Sequence, residues 1–202
     1  MNETMKHFKL RTDLTIKVGL KTLYRIEATK EITKFGVKVG DLGGYIEKEN
    51  NLTGDAWVSG NAEVYGDAEV SGDAKVYGNA WVSGNAKVYG YAEVSGNAEV
   101  SGNAEVSGKA KVSGDAKVYG NAEVYGDKIE KENDLINITS NIDSYNITIT
   151  PKHIKIGCQY HSKTAWFNFT DDEIVKMDGE EAVNWWKTWK PILKAICDGL
   201  KQ

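Results

Sequence analysis

From Gly54 to Tyr125 the chain is twelve consecutive six-residue units, Gly-(Asn/Asp)-Ala-x-Val-(Ser/Tyr), without insertion or deletion. Ala and Val hold in every unit, and the second position departs from Asn or Asp only at Tyr91 and Lys109. A repeat this strict dictates the fold before any local propensity does. Ala and Val stand two apart around a polar or bulky residue, the period of a strand with one buried face. Gly-(Asn/Asp) is then the corner, because Gly and Asn best tolerate positive φ. Strand and corner in regular alternation describe a β-solenoid.

Three hexads per coil make a triangular prism of 18 residues per turn, and the outward residues test that register. At a spacing of 18 the columns read Trp57, Lys75, Glu93, Lys111; Glu63, Trp81, Glu99, Lys117; and Glu69, Lys87, Glu105, Glu123. Five of the six charge-on-charge steps pair opposite signs, Glu105 over Glu123 being the exception. Cross-strand pairs of this kind contribute ~0.2–1 kcal/mol each. The rival is a two-sided coil of 12 residues. It would stack Tyr65, Tyr77 and Tyr89 in one column, but the Ser/Tyr alternation lapses from Ser95 to Ser113. The 18-residue coil is preferred.

The hexad resembles the hexapeptide repeat of left-handed parallel β-helices, in which an aliphatic residue and, four places later, a small one point inward, as Val58 and Ala62 would here. The chain is also similar to bacterial and phage-borne proteins built on Gly-Asn-Ala-x-Val-(Ser/Tyr) arrays, often labelled hexapeptide-repeat transferases. That likeness is carried by Tyr24-Arg25-Ile26, by Lys38-Val-Gly-Asp-Leu-Gly-Gly-Tyr-Ile46 and by Ile156-Gly-Cys-Gln-Tyr-His161. The resemblance implies a mainly β fold with a left-handed prism. It implies little about activity, since the same prism carries acyltransferases, carbonic anhydrases and non-enzymes.

The flanks are read from pattern. Residues 1–41 form an N-terminal β-rich cap, with strands at Leu14–Val18 and within Lys21–Ala28. Leu52 and Ile46 continue the Val phase backward and Gly44 stands in the Ala place, so the solenoid is expected over residues 42–127. Asp41-Leu-Gly-Gly44 lacks the spacing and the Lys of a phosphate loop and reads as a tight turn. Lys128 in the Ala place and Glu130 in the Val place end the array, making residues 127–134 a charged linker. Residues 128–202 read as a small α+β domain, with strands at Leu135–Thr139, Tyr145–Thr150, Ile154–Cys158 and Thr164–Phe169 and a hairpin turn at Pro151-Lys152-His153. A capping box at Thr170–Glu173 and a second start at Asp178-Gly-Glu-Glu181 open helices. The last helix is amphipathic and Trp-rich, and Pro191 is expected to kink it.

Charge narrows the partners. The net charge of −4 divides as +3 over residues 1–53, −5 over 54–125 and −2 over 126–202. That indicates neither a basic nucleic-acid binder nor an acidic mimic of one. Cys158 and Cys197 make no disulfide framework, and no apolar run is long enough for a signal peptide or a membrane span. The expectation is a cytosolic protein, in the host cytosol if phage-encoded.

Enzymes on the left-handed hexapeptide helix generally depend on histidine, as acyl-transfer base or zinc ligand. Here no His lies between His7 and His153, and the array lacks Cys and Arg. No catalytic residue and no cofactor is expected. His153, Cys158 and His161 are zinc-ligand types, but without the paired spacing of a zinc module the structural reading is favoured. Candidate interaction residues are Trp57 and Trp81, which replace Glu or Lys at outward strand positions, the exceptions Tyr91 and Lys109, and the cluster Trp185, Trp186 and Trp189. The flanking segments could instead bury the array's tryptophans. The reading is a non-catalytic, phage- or prophage-type solenoid that binds a protein partner or acts as a scaffold, with counter-defence inhibition as a specific variant. A homo-oligomer would follow wherever an end of the prism is uncovered. The alternative is an acyl- or nucleotide-sugar-dependent transferase.

Overall fold

The computed structural model describes residues 6–139 and 145–200. It divides into two compact units, Met1–Glu132 and Asn133–Gln202.

The first unit is a parallel β-solenoid with 18 residues per coil. Trp57 pairs with Lys75, Glu63 with Trp81 and Glu69 with Lys87, and the same step repeats through later coils. This register excludes the 12-residue coil. Each strand contributes two residues to the ladder in most hexads, such as Trp57–Val58 and Lys75–Val76, so three narrow sheets form the faces of the prism. Every Ala and Val of the array is at most 1% exposed. Burial of a Val side chain contributes about 1.5–3 kcal/mol before chain entropy is set against it.

Corners close the coils. Backbone hydrogen bonds run through them as well as through the strands: Glu93 N donates to Ala110 O at 2.9 Å, Ser95 N to Val112 O at 2.8 Å, and the corner Asn97 N to Gly114 O at 2.8 Å. The glycines from Gly54 to Gly120 that open each hexad have φ between +64° and +77°. Space imposes a second demand, seen at Gly96, where an added Cβ would lie 2.9 Å from Gly114 N and 3.0 Å from its O.

Both ends depart from the hexad. The N-terminal strands Phe8–Val18 and Lys21–Ala28 form an antiparallel hairpin, the first strand beginning well before Leu14. This hairpin pairs antiparallel with Leu42–Ile46, which pairs parallel with the first face through Tyr45 and Glu63. The hairpin therefore extends one face, and its Leu23 and Ile26 are fully buried. Gly43 and Gly44 lie within the Leu42–Ile46 strand rather than in a tight turn. They are small because a Cβ on Gly43 would fall 2.4 Å from Ile26 Cγ1, and one on Gly44 2.6 Å from Ala62 O.

At the other end the residues expected to be a linker add another strand, Lys128–Ile129, paired parallel with Lys111–Val112. One residue is missing from this unit, so Asp127 follows Gly126 directly and takes the Ala place. Lys111 N donates to Asp127 O and Ser113 N to Ile129 O, both at 2.8 Å. Ile129, not Glu130, fills the Val position and is fully buried.

The second unit is α+β. Strands Ile136–Ile138, Ile147–Ile149, His153–Ile156 and Gln159–Ser162 form an antiparallel sheet in sequence order. The segment expected as a strand at Thr164–Phe169 is instead a helix, Lys163–Asn168, because the Ser162 hydroxyl accepts from Ala165 N at 3.1 Å and caps it. Thr170 and Glu173 make the expected capping box for Asp171–Gly199. That helix breaks at Asp178 and Gly179 (φ +81°), not at Pro191.

Gly40 separates the two demands on a corner glycine, since its φ is +89° but an added Cβ would meet nothing within 4 Å. Gly40→Ala is expected to cost ~1–2 kcal/mol from φ alone. Gly96→Ala is expected to cost measurably more in urea unfolding, because the next corner must also move; equal costs would contradict corner stacking.

Candidate functional site

The outward residues of the array follow a rule that the sequence columns do not show. A tyrosine at the end of one strand reaches the glutamate sixteen residues on, in the next coil: Tyr77 donates to Glu93 at 3.4 Å and Tyr89 to Glu105 at 3.1 Å. Asparagines at the corners form ladders, Asn61 to Asn79 to Asn97 to Asp115 along one edge and Asn85 to Asn103 to Asn121 along another. Tyr91 and Lys109 fall on the third edge, below Asp55 and Asp73, where Lys34 pairs with both acids. Both exceptions are exposed. Lys75 lies over the Phe35 and Tyr77 rings beside them.

The two array tryptophans have different fates. Trp57 is 2% exposed, with His7 beside its ring at 6.3 Å. His7 Nε2 donates to Ala56 O at 2.8 Å, and burial pushes the imidazole pKa below its ordinary value. Trp81 is 36% exposed. It takes the place of the glutamate that Tyr65 would otherwise reach, and the two rings stack with centroids 6.4 Å apart and planes at 28°.

Around Trp81 the seven-stranded face carries one outward row: Arg25, Tyr45, Glu63, Trp81, Glu99 and Lys117, each opposite the next. Adjacent strands lie about 4.8 Å apart, so neighbours in this row are in side-chain reach. Arg25 donates to Gly43 O at 3.1 Å and to Tyr45 Oη at 3.2 Å, and its guanidinium lies 5.2 Å from the Tyr45 ring centre. Lys21 binds Glu47 at 2.7 Å, and Lys117 approaches Glu99 to 3.8 Å. Glu63 has Tyr45 on one side and Trp81 on the other, and among the described residues its carboxylate makes no hydrogen bond or ion pair. Burial pushes its pKa up. The outward glutamates Glu69, Glu93, Glu99 and Glu105 each have a hydrogen-bond or ion-pair partner. Sequence reading singled out Trp81 but passed over Tyr45 and Glu63. The signal was present in the column of 18, once extended one coil backward.

In the second unit the three candidate tryptophans pack into or against the core, while His153 and His161 are half-buried beside it. Trp186 is 2% exposed, while Trp185 and Trp189 are half-buried and stacked at 5.5 Å. His153 stacks on Tyr160 at 4.7 Å, and His161 meets the edges of Trp166 and Phe169. Cys158 is exposed and Cys197 buried. Among the described residues no group of three or more His, Cys, Asp or Glu side chains could hold a metal. Tyr145 donates to Asp178, which pushes the phenol pKa up to about 12. A recess beside it, lined by Tyr145, Ile156, Cys158, Trp166 and Trp185, has room for about 40 Å³, far below the volume of a coenzyme or nucleotide site. Among the described residues no helix is long and apolar enough to cross a membrane.

No protein-family model matches the chain, and no curated protein matches it. The function must therefore be argued from the geometry.

His7 supplies a pH test of how the first coil is closed. Its neutral form is the one folded, so its contribution is fully present above pH 6.5, the ordinary value, and is lost as pH falls from there toward the lower folded pKa. The urea midpoint of the first unit is expected to drop between pH 7 and pH 5, and His7→Gln, which keeps a donor for Ala56, should flatten that drop.

Proposed function

We propose that the protein is a non-catalytic binding body, a rigid solenoid whose Tyr45–Glu63–Trp81 face docks a protein partner. The observation that carries this reading is Trp81: a large aromatic at a position that ten of the twelve hexads give to Glu or Lys, held by Tyr65 and 36% exposed. Aromatic residues fixed in this way are favoured anchors at protein interfaces, since little side-chain entropy is lost on docking. Neighbouring coils are tied by backbone bonds through faces and corners, so the face is presented with little freedom to deform. The array, residues 54–125, holds neither His nor Cys nor Arg with which to run acyl transfer.

The likeness to phage-borne arrays supports a host or phage protein as the partner, and inhibition of a host defence complex is the specific form of that reading. A transferase acting on acyl-coenzyme A or a nucleotide sugar is the competing class.

Two measurements separate them. Affinity capture from infected cells is expected to recover a defined partner with the native chain and to lose it with Trp81→Ala. Incubation with acyl-coenzyme A and nucleotide-sugar panels is expected to give no turnover and no thermal shift; clear turnover would overturn the proposal.

A further inference from the structure

The unpaired carboxylate on this face has a chemical implication beyond docking. Glu63 is half-buried between Tyr45 and Trp81, with Tyr65 stacked on Trp81 at its side. Every basic group nearby already has an acceptor: Arg25 the Gly43 carbonyl and the Tyr45 hydroxyl, Lys21 the Glu47 carboxylate, Lys117 the Glu99 carboxylate. Glu47 is occupied twice over, since it also accepts from Gly66 N at 2.6 Å. Where the array places acids elsewhere, it supplies a lysine in the next coil or a tyrosine hydroxyl from the previous one, as at Glu93 and Glu105. At Glu63 it supplies aromatic rings instead.

A carboxylate flanked by aromatic faces is complementary to one kind of group, an organic cation. The carboxylate attracts the charge, and the rings attract it again through their quadrupoles while replacing part of its water shell. A neutral or anionic group gains neither. We propose that Glu63, Tyr45, Tyr65 and Trp81 form a receptor for a cationic side-chain head, the ammonium of lysine or the guanidinium of arginine, presented by the partner protein. This rests on the protein-binding reading of the same face and names the chemistry of its anchor. The net charge of −5 over residues 54–125 favours the approach of such a group.

The site can be tested without the partner. The probes are N-acetyl-lysine amide, N-acetyl-arginine amide and tetramethylammonium chloride, against the uncharged Nε-acetylated lysine derivative and sodium chloride at matched ionic strength. The readout is the indole N–H resonance of Trp81 in the full-length protein, assigned by its loss in Trp81→Phe. A cationic probe is expected to shift that resonance saturably, and the uncharged derivative and sodium chloride are not. Glu63→Gln, isosteric, is expected to weaken the best probe by on the order of ten-fold, and Tyr45→Ala several-fold. The ranking of the three cations reports which head group fits best. Absence of a saturable shift with all three, or an equal shift in Glu63→Gln, overturns the inference. The docking reading fails separately, when capture from infected cells is indifferent to Trp81→Ala. Capture that depends on Trp81 with no cation response leaves docking intact and removes the receptor.

Discussion

Glycines at the corners of successive coils stack so closely that an added Cβ would crowd the next corner, and the solenoid depends on that contact. At Gly96 a side-chain carbon would approach the backbone of Gly114 to 2.9 Å, closer than real Cβ contacts come. Glycine is thus needed at the corner for its positive φ and for its missing side chain at once. The close corner lets Asn97 N reach Gly114 O, so hydrogen bonding continues around the bend. Asparagine beside it extends the same economy outward, each amide donating to the equivalent residue one coil on. Inside, the Ala and Val of the array fill a prism whose faces are two residues wide, and each is at most 1% exposed.

What this geometry cannot do is end itself, and the two ends solve that differently. At the N-terminal side a hairpin continues one face with the opposite strand direction, Ile26 fitting against Gly43. Basic residues of that segment meet acids of the first coils, Lys34 with Asp55 and Asp73 and Lys48 with Asp67, consistent with +3 over residues 1–53 and −5 over residues 54–125. These pairs are largely exposed, so they orient the junction more than they stabilise it. Further along, losing one residue after Gly126 brings Asp127 into the Ala place and Ile129 into the core.

The coil length was legible because outward charges obey an 18-residue period, and the inward residues because Ala and Val never fail. The last strand was not, because a one-residue deletion moves Ile129 into a slot that a fixed hexad phase assigns to Glu130. The helix at Lys163–Asn168 was hidden for a different reason. Its aromatic and β-branched residues favour a strand, and one serine cap with packing of Trp166 against the sheet prevails. At the candidate site Trp81 stood out as an exception to the array. Glu63 conforms to the array and so did not: its distinction lies in its neighbours, Tyr45 and Trp81, where other glutamates have lysine or tyrosine hydroxyls. Trp57, equal to Trp81 in the repeat, is covered by His7, a contact between residues 50 apart that no local pattern encodes.

A paired-cysteine experiment tests the 18-residue stack most directly. Lys87 lies opposite Glu105 on the same face, whereas Glu99 belongs to another. Stacked strands about 4.8 Å apart put Cα atoms within the ~4.4–6.8 Å span of a disulfide. In a Cys158→Ser background, Lys87→Cys with Glu105→Cys should oxidise readily to an intramolecular crosslink, and Lys87→Cys with Glu99→Cys should stay reduced. Crosslinking of the second pair in preference to the first would contradict the coil, and with it the face on which Tyr45, Glu63 and Trp81 are brought together.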